Sequence, residues 1–120
     1  MRVAVTVWDG RISPVFNTAR CFRILDVENG TAVDEDEVTL TETELGQKIK
    51  RLSSLYVHTV ICGAISRTAE DLIHAHGIRL IPFIAGGAEE VAAAYLEGNL
   101  TDPKWSMPGS PEPRHGARRS

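Results

Sequence analysis

Hydrophobic and polar residues alternate in the first part of the chain, which predicts strands with one buried face. Val3, Val5 and Val7 share a face of a strand over residues 2–8, and residues 21–27 form a second strand-like run. The chain therefore opens with β-structure.

A hairpin signal follows the second run. Asn29-Gly30 suits a two-residue turn in which both residues take positive φ, so residues 31–39 should return antiparallel to residues 21–27. The acidic residues 34–37 predict that this third strand is a solvated edge strand.

The pattern then changes to helical spacing. Thr41 and Glu44 match a capping box, and apolar residues follow at helical intervals from Leu45 to Tyr56. The continuous apolar run at residues 58–63 predicts a strand buried on both faces.

Two further helices and one strand complete the pattern. Ser66 can cap a helix that runs to His76 and stops at Gly77, and residues 78–84 form a strand closed by a proline. Gly86-Gly87 opens the last helix, which ends at Gly98.

The order β-β-β-α-β-α-β-α predicts a single α/β domain over residues 1–100, with a mixed five-stranded sheet flanked by helices. The first, fourth and fifth strands should run parallel through right-handed crossovers. Residues 101–120 lack apolar periodicity and predict an extended or disordered tail, with Trp105 and Met107 docking back on the domain.

Charge excludes some classes of partner. The net charge of the 120 residues is −3, of which residues 1–100 carry −5 and residues 101–120 carry +2. A domain this acidic is a poor nucleic-acid binder, because phosphate contacts dominate such affinity. No apolar run approaches the roughly 20 residues that span a bilayer, and no signal-peptide pattern precedes the first strand, so we expect a cytoplasmic location without a membrane partner.

Three loops should meet at the carboxyl edge of the parallel strands, where α/β sheets bind ligands. They are residues 9–20, 62–67 and 84–88, and each is rich in small residues. Free N–H groups at the helix starts beside Cys62-Gly63-Ala64 and Gly86-Gly87 would favour an anion. The candidate cationic rim consists of Arg11, Arg20 and Arg67, and Ser13, Asn17 and Phe16 add donors and a wall.

Catalysis finds little support in the sequence. Ser13 and Ser66 have no evident His–Asp partners, and the four histidines are not clustered at metal-ligand spacing. Asp9 ends the first strand, where a metal-dependent hydrolase would place a carboxylate, but such a site needs several converging carboxylates. Cys21 and Cys62 form neither a disulfide framework nor a CxxC metal site, so we expect buried thiols.

Several segments resemble one family. They are M-R-V-A-V-T-V-W-D-G-R-I-S-P-V-F-N-T-A-R-C-F at 1–22, V-I-C-G-A-I-S at 60–66, G-I-R-L-I-P-F at 77–83, A-Y-L-E-G-N-L at 94–100 and M-P-G at 107–109. Together they resemble the small members of the dinitrogenase iron–molybdenum cofactor biosynthesis family. The resemblance implies a ribonuclease H-like fold without nuclease chemistry, and a non-enzymatic role in binding or carrying an anionic metal–sulfur cluster.

The resemblance also implies which residues hold the cargo, a molybdenum–sulfur cluster with or without copper. The motif positions are Ser13, Pro14, Phe16, Asn17 and Arg20, with Cys62, Gly63, Ala64 and Ser66 beside them. Val15 stands where many members have His, and Ser110 stands where several have Cys. These departures favour non-covalent holding and leave Cys62 as the one candidate thiolate.

The sequence thus predicts a cytoplasmic carrier that is not an enzyme and that has the cluster as its partner, along with protein partners for cluster delivery or regulation. The alternative is a regulatory or scaffold module that binds a protein and no cluster. The acidic edge strand and the basic tail are the features that favour this alternative.

Overall fold

Strands and helices account for most of residues 1–108, the part of the chain that the computed structural model describes. The strands are β1 (Arg2–Trp8), β2 (Arg11–Ile12), β3 (Cys21–Glu28), β4 (Thr31–Thr39), β5 (Thr59–Ile61) and β6 (Arg79–Ile81). The helices are α1 (Leu45–Ser54), α2 (Arg67–Ala75) and α3 (Ala88–Leu96). Short 3-10 helices occupy Phe16–Thr18 and Pro103–Trp105.

The sheet has the order β4-β3-β1-β5-β6. β1, β5 and β6 are parallel, while β3 and β4 run antiparallel, which confirms the predicted mixed α/β sheet. The sheet has six strands, so the expected number of five was wrong. The additional strand, β2, pairs with the end of β1, past the residues of β1 that pair with β5. Asp9 and Gly10 take φ values of 54° and 77°, so a tight turn folds the chain back where the sequence suggested only a loop.

Two hydrophobic cores lie on opposite faces of the sheet. Successive side chains of β1 point to opposite faces and so contribute to both cores. Val3, Val5 and Val7 face the core under α3, and Ala4 faces the core under α1 and α2. This assignment of faces fixes which side chains can meet at the carboxyl edge.

The predicted hairpin and edge strand are confirmed. Asn29 and Gly30 take φ values of 54° and 76°, and β4 pairs only with β3 in the described part of the chain. Asp34, Glu35, Asp36 and Glu37 are exposed along β4, so the sheet presents an acidic edge.

The capping-box prediction for α1 was wrong. Its N-cap is Glu44, without a side-chain hydrogen bond, and the helix begins at Leu45. Leu40 is buried and its N–H still donates to the carbonyl of Arg20 at 2.8 Å, which keeps this segment extended, while Glu42 pairs with Arg51 at 3.0 Å. Ser66 does cap α2, accepting a hydrogen bond from the N–H of Ala69 at 3.1 Å.

The chain continues to pack on the domain after α3. The carbonyl of Trp105 accepts a hydrogen bond from Ala85 at 2.8 Å, the N–H of Met107 donates to Phe83 at 2.9 Å, and Trp105 packs against the core under α3. The remainder of the predicted tail, residues 109–120, lies outside the described residues. Among residues 1–108, no helix combines the length and apolar character that crossing a bilayer requires.

Candidate functional site

The first and third loops of the carboxyl edge are joined through their main chains. The N–H of Ile12 donates to Gly86 at 2.9 Å, the N–H of Ala88 donates to Gly10 at 2.9 Å, and Arg11 pairs with Gly87 in an isolated bridge. The hairpin that follows β1 is therefore fixed against the start of α3.

The first and second loops make the closest approach. A Cβ atom on Gly63 would lie 2.5 Å from the carbonyl oxygen of Pro14 and 2.6 Å from that of Ser13. Ala64 then donates to Pro14 and accepts from Phe16, both at 2.8 Å. Because main chain meets main chain here, only glycine fits at position 63.

Asn17 and Ser66 tie the same two loops through their side chains. The Nδ2 of Asn17 donates to the Oγ of Ser66 at 3.0 Å, and the N–H of Ser66 donates to the Oδ1 of Asn17 at 3.3 Å. Both residues were predicted to bind the cargo, and the structure pairs them with each other at the start of α2.

Phe83 joins the second loop to the chain that follows α3. Its N–H donates to Gly63 at 2.9 Å and its carbonyl accepts from Met107 at 2.9 Å. Phe83 is half-buried and has a φ of 62°, a conformation that non-glycine residues hold only where their surroundings enforce it. The three predicted loops thus converge on one edge with a braced backbone.

The helix starts at this edge are less open to an anion than the sequence suggested. The carboxylate of Glu90 lies so close to Gly87 that a Cβ there would collide with it, and a carboxylate at this position already complements the start of α3. At α2, Ser66 and Asn17 satisfy two N–H groups. Charge for an anion must therefore come mainly from basic side chains.

The cationic side chains gather on the α1–α2 face of the edge. Trp8 pairs directly with Arg11, and residues opposite each other in an antiparallel pair share a face. Extending the β1–β3 register by one residue beyond Val7 and Cys21 places Arg20 beside Trp8 on that face as well. Arg67, exposed, opens α2 on the same side of the sheet.

Lys48 adds a buried cation beneath this face. Its side chain is 2% exposed, and its ammonium donates to the carbonyls of Phe16 at 3.1 Å and Asn17 at 2.9 Å. Within residues 1–108, no carboxylate lies within 4.0 Å of the ammonium. Burial, and secondarily the charge of Arg20, lowers the pKa of Lys48. A buried charge without a counter-ion is costly, and such groups cluster at functional sites.

Phe16 and Cys62 lie below the surface and do not line it. Phe16 is fully buried, with its ring edge-on to Phe22 at a centroid distance of 6.1 Å. The thiol of Cys62 is also fully buried, and burial together with the charge of Glu70 raises its pKa, so the thiolate form is disfavoured. Cys21, predicted to be buried, is half-exposed beside Thr39, and neither cysteine forms a disulfide among the described residues.

The hydrolase alternative gains no support at Asp9. That residue is exposed in the β1–β2 turn, and residues 1–108 contain no group of three or more His, Cys, Asp or Glu side chains placed to hold a metal ion.

A cavity of about 120 Å³ lies on the β3–β4 half of the sheet, near the start of β1 and away from the carboxyl edge. Asp26, Asp34 and Asp36 line it together with Arg2, whose guanidinium is bound to Asp26 at 2.8 Å. This hydrogen bond raises the pKa of Arg2 and lowers that of Asp26. Three carboxylates against one paired guanidinium make the cavity unsuited to an anion.

The family model for dinitrogenase iron–molybdenum cofactor proteins matches residues 1–98. The chain belongs to this family. No curated protein matches it significantly.

Solved structures of related proteins share the fold. The apo form of the orange protein from Desulfovibrio gigas superimposes with a TM-score of 0.69 at 20% identity, covering 92% of this chain and 95% of its own. A protein from Thermotoga, provisionally named NifB, gives 0.65 at 26% identity over 82% and 89%. A protein from Methanocaldococcus jannaschii, provisionally named a dinitrogenase, gives 0.68 at 18% over 92% and 97%.

Sequence reasoning missed two residues that the structure places at this candidate site. Lys48 occupies a core-facing position in α1, three residues after Leu45 and one before Ile49, and a lysine there was the available signal. Trp8 ends the alternating run of β1 at the edge where ligands gather, yet it is exposed. Both lie on the cationic face described above.

Replacing Gly63 by alanine should destabilise the fold by about 1–3 kcal/mol, because the new Cβ forces Ser13 and Pro14 away from the second loop. Urea unfolding measures this change. Gly46→Ala is the matched control: it has no atom within 4 Å of a new Cβ and lies in α1, so it should stabilise by about 0.5–1 kcal/mol. A Gly63→Ala protein as stable as wild type would contradict the close approach.

Replacing Lys48 by methionine should remove a pH-dependent part of the stability. The folded pKa of Lys48 is lower than its ordinary value of 10.5, so between the two values the unfolded chain binds more protons. The free energy of unfolding of wild type therefore increases as pH rises from the folded pKa toward 10.5. Below the folded pKa, the cost of burying the charged ammonium is present in full.

Urea unfolding of both proteins at a series of alkaline pH values gives this contribution as the difference between them. The subtraction cancels groups common to both, including Cys62, whose raised pKa acts in the opposite direction. A difference that stays constant across the series would show that Lys48 is not perturbed.

Proposed function

We propose that this protein is a non-enzymatic cytoplasmic carrier of an anionic metal–sulfur cluster, a molybdenum–sulfur cluster with or without copper. Membership of the dinitrogenase iron–molybdenum cofactor family supports a role in handling such a cofactor. The observation that carries the proposal is the cationic face of the carboxyl edge, defined by Arg11, Arg20, Arg67 and the buried Lys48.

These cations stand out against the charge of the rest of the domain. Residues 1–100 carry −5, and acidic residues are concentrated on the outer strand β4 and at the start of α3. An anion approaching the domain is therefore repelled from those acidic surfaces and attracted to the cationic face. Arg and Lys at the rim provide charge, and the braced loops beneath them provide a fixed base.

A sulfide-rich cluster suits this face because its metals already carry their own ligands. The protein then supplies charge and hydrogen bonds and makes no metal–thiolate bond, which agrees with the burial of the Cys62 thiol and with the raised pKa that this burial causes. Lys48 acts from beneath the loop: its charge is poorly screened by solvent and reaches the cargo through the backbone of Phe16 and Asn17. Pro14 and Val15, both exposed, offer an apolar surface next to the arginines.

The second candidate function is a regulatory or scaffold module without a cluster. The exposed acidic strand β4 favours it, because its outer edge and the carboxylates of Asp34–Glu37 would suit a basic strand-forming partner. The colour and metal content of the protein as isolated distinguish the two functions. A colourless, metal-free protein that also refuses cluster in vitro supports the module.

Titration with tetrathiomolybdate, followed by visible absorption, tests the carrier proposal. Wild-type protein should bind the anion, and Arg20→Ala should weaken binding by about two- to fivefold at low salt, the range expected for one exposed charge. Added salt should reduce both affinities and the difference between them, because exposed charges are screened.

Arg79→Ala is the matched control for this titration. Arg79 is equally an exposed arginine, but it begins β6 at the opposite edge of the sheet, so its loss changes the net charge without changing the cationic face. Equal effects of the two substitutions would show that only net charge matters. Unchanged uptake by Arg20→Ala would count against this face as the site.

A further inference from the structure

The indole of Trp8 is the most exposed aromatic side chain at the carboxyl edge. It is 67% exposed, although it ends a strand whose preceding five residues are all buried. Leaving a tryptophan in water forfeits the stabilisation that its large apolar surface would give in a core. The exposed indole is therefore available for contact with a ligand at this edge.

The indole is held on a rigid support. Trp8 and Arg11 pair across the two-residue turn at Asp9-Gly10, and that turn is anchored by the hydrogen bond from Ala88 to Gly10. The position of the Trp8 backbone relative to the sheet is consequently fixed, and the indole projects from it into solvent.

Two arginines flank the indole on the same face. Arg11 lies opposite Trp8 on β2, and Arg20 lies beside it on the β3 side by extension of the register. Burial, and secondarily repulsion by the charge of Arg20, lowers the pKa of Lys48, so the two cations lie near each other. The combination is an apolar, polarisable side chain beside two exposed arginines, with the buried charge of Lys48 close to one of them.

We propose that Trp8 gives this site its preference for sulfide-rich anions over oxyanions, an inference that rests on the carrier function proposed above. The cations attract any anion of suitable size, so they contribute to affinity without distinguishing oxygen from sulfur. Trp8 is the group on this face that makes the distinction.

The distinction follows from what each anion exchanges with water. An oxyanion must give up strong hydrogen bonds with water and gains nothing equivalent against an indole. Sulfur is soft and polarisable, and it makes favourable contacts with aromatic rings, often at the ring edge, where the quadrupole is positive. The substrate class is thus a thiometallate, bound with its sulfides against the indole edge and its charge among the arginines.

The test compares tetrathiomolybdate and molybdate binding to wild type and to Trp8→Ala. Tetrathiomolybdate affinity is read from visible absorption, and molybdate affinity from competition. Trp8→Ala should lose roughly three- to tenfold in tetrathiomolybdate affinity, the range of a sulfur–aromatic contact, with molybdate affinity unchanged. Trp8→Phe keeps an aromatic edge and should retain most of the preference.

Tryptophan fluorescence gives an independent readout, because the chain has two tryptophans. Tetrathiomolybdate should quench wild type more strongly than Trp8→Phe, in which only Trp105 remains. Tyr56→Asn is the matched control: Tyr56 is 75% exposed at the opposite end of the sheet, and asparagine tolerates its φ of 61°. This control should bind both anions as wild type does.

The outcomes separate the two proposals. Two results overturn the role of Trp8 and leave the carrier function standing. One is equal tetrathiomolybdate affinity in wild type and Trp8→Ala, and the other is an equal loss of affinity for both anions in Trp8→Ala. Wild type that binds no tetrathiomolybdate overturns both. Circular dichroism and thermal unfolding of Trp8→Ala confirm that the variant is folded, as the exposure of Trp8 leads us to expect.

Discussion

The main-chain contact between Gly63 and the Ser13–Pro14 peptide is the constraint on which the rest of the site depends. Since no side chain fits at position 63, the second loop can lie directly against the first. Ala64 then exchanges hydrogen bonds with Pro14 and Phe16, and Phe83 is bound to Gly63. The hydrogen bond from Phe16 to Ala64 also fixes the 3-10 turn that begins at Phe16. The ammonium of Lys48 donates to two carbonyls of this turn from the core side.

This arrangement uses up much of the hydrogen-bonding capacity that the sequence had suggested for a ligand. Asn17 and Ser66 satisfy each other, and Glu90 complements the start of α3. What remains for an anion is charge, from exposed arginines above and from one buried ammonium below. The site is thereby different in kind from an anion site formed by a helix N-terminus, in which free N–H groups do most of the binding.

The parts of this picture that follow from local chemistry were predictable. Alternation predicted the first strand, a continuous apolar run predicted β5, Asn29-Gly30 predicted the hairpin, and the parallel strands placed the three loops at one edge. The absence of a helix cap at Thr41 could not be predicted. It depends on the hydrogen bond between Leu40 and Arg20, two residues far apart in sequence. Propensity carries no information about such long-range pairs.

The candidate site shows the same division. Its loops were located correctly, but the direction of each side chain depends on strand register and tertiary packing. The wall assigned to Phe16 lies in the core, whereas the exposed aromatic surface belongs to Trp8, one residue before the turn that creates β2. A two-residue strand leaves almost no periodic signal, so the pairing that orients Trp8 and Arg11 could not be read from the sequence.

The combination of a braced backbone and exposed cations has a consequence for the proposed carrier. Each exposed arginine contributes at most about 1 kcal/mol to holding an anion, so no single contact makes binding irreversible. The buried charge of Lys48 acts through a fixed backbone and costs no side-chain ordering when the cargo arrives, because both of its carbonyl partners are already in place. A site of this kind can hold a preassembled anion without bonds to its metals and release it to a partner that offers stronger ligands. Thiolate ligation by Cys62 would require the thiol to leave the core and lose its proton, and it would oppose release.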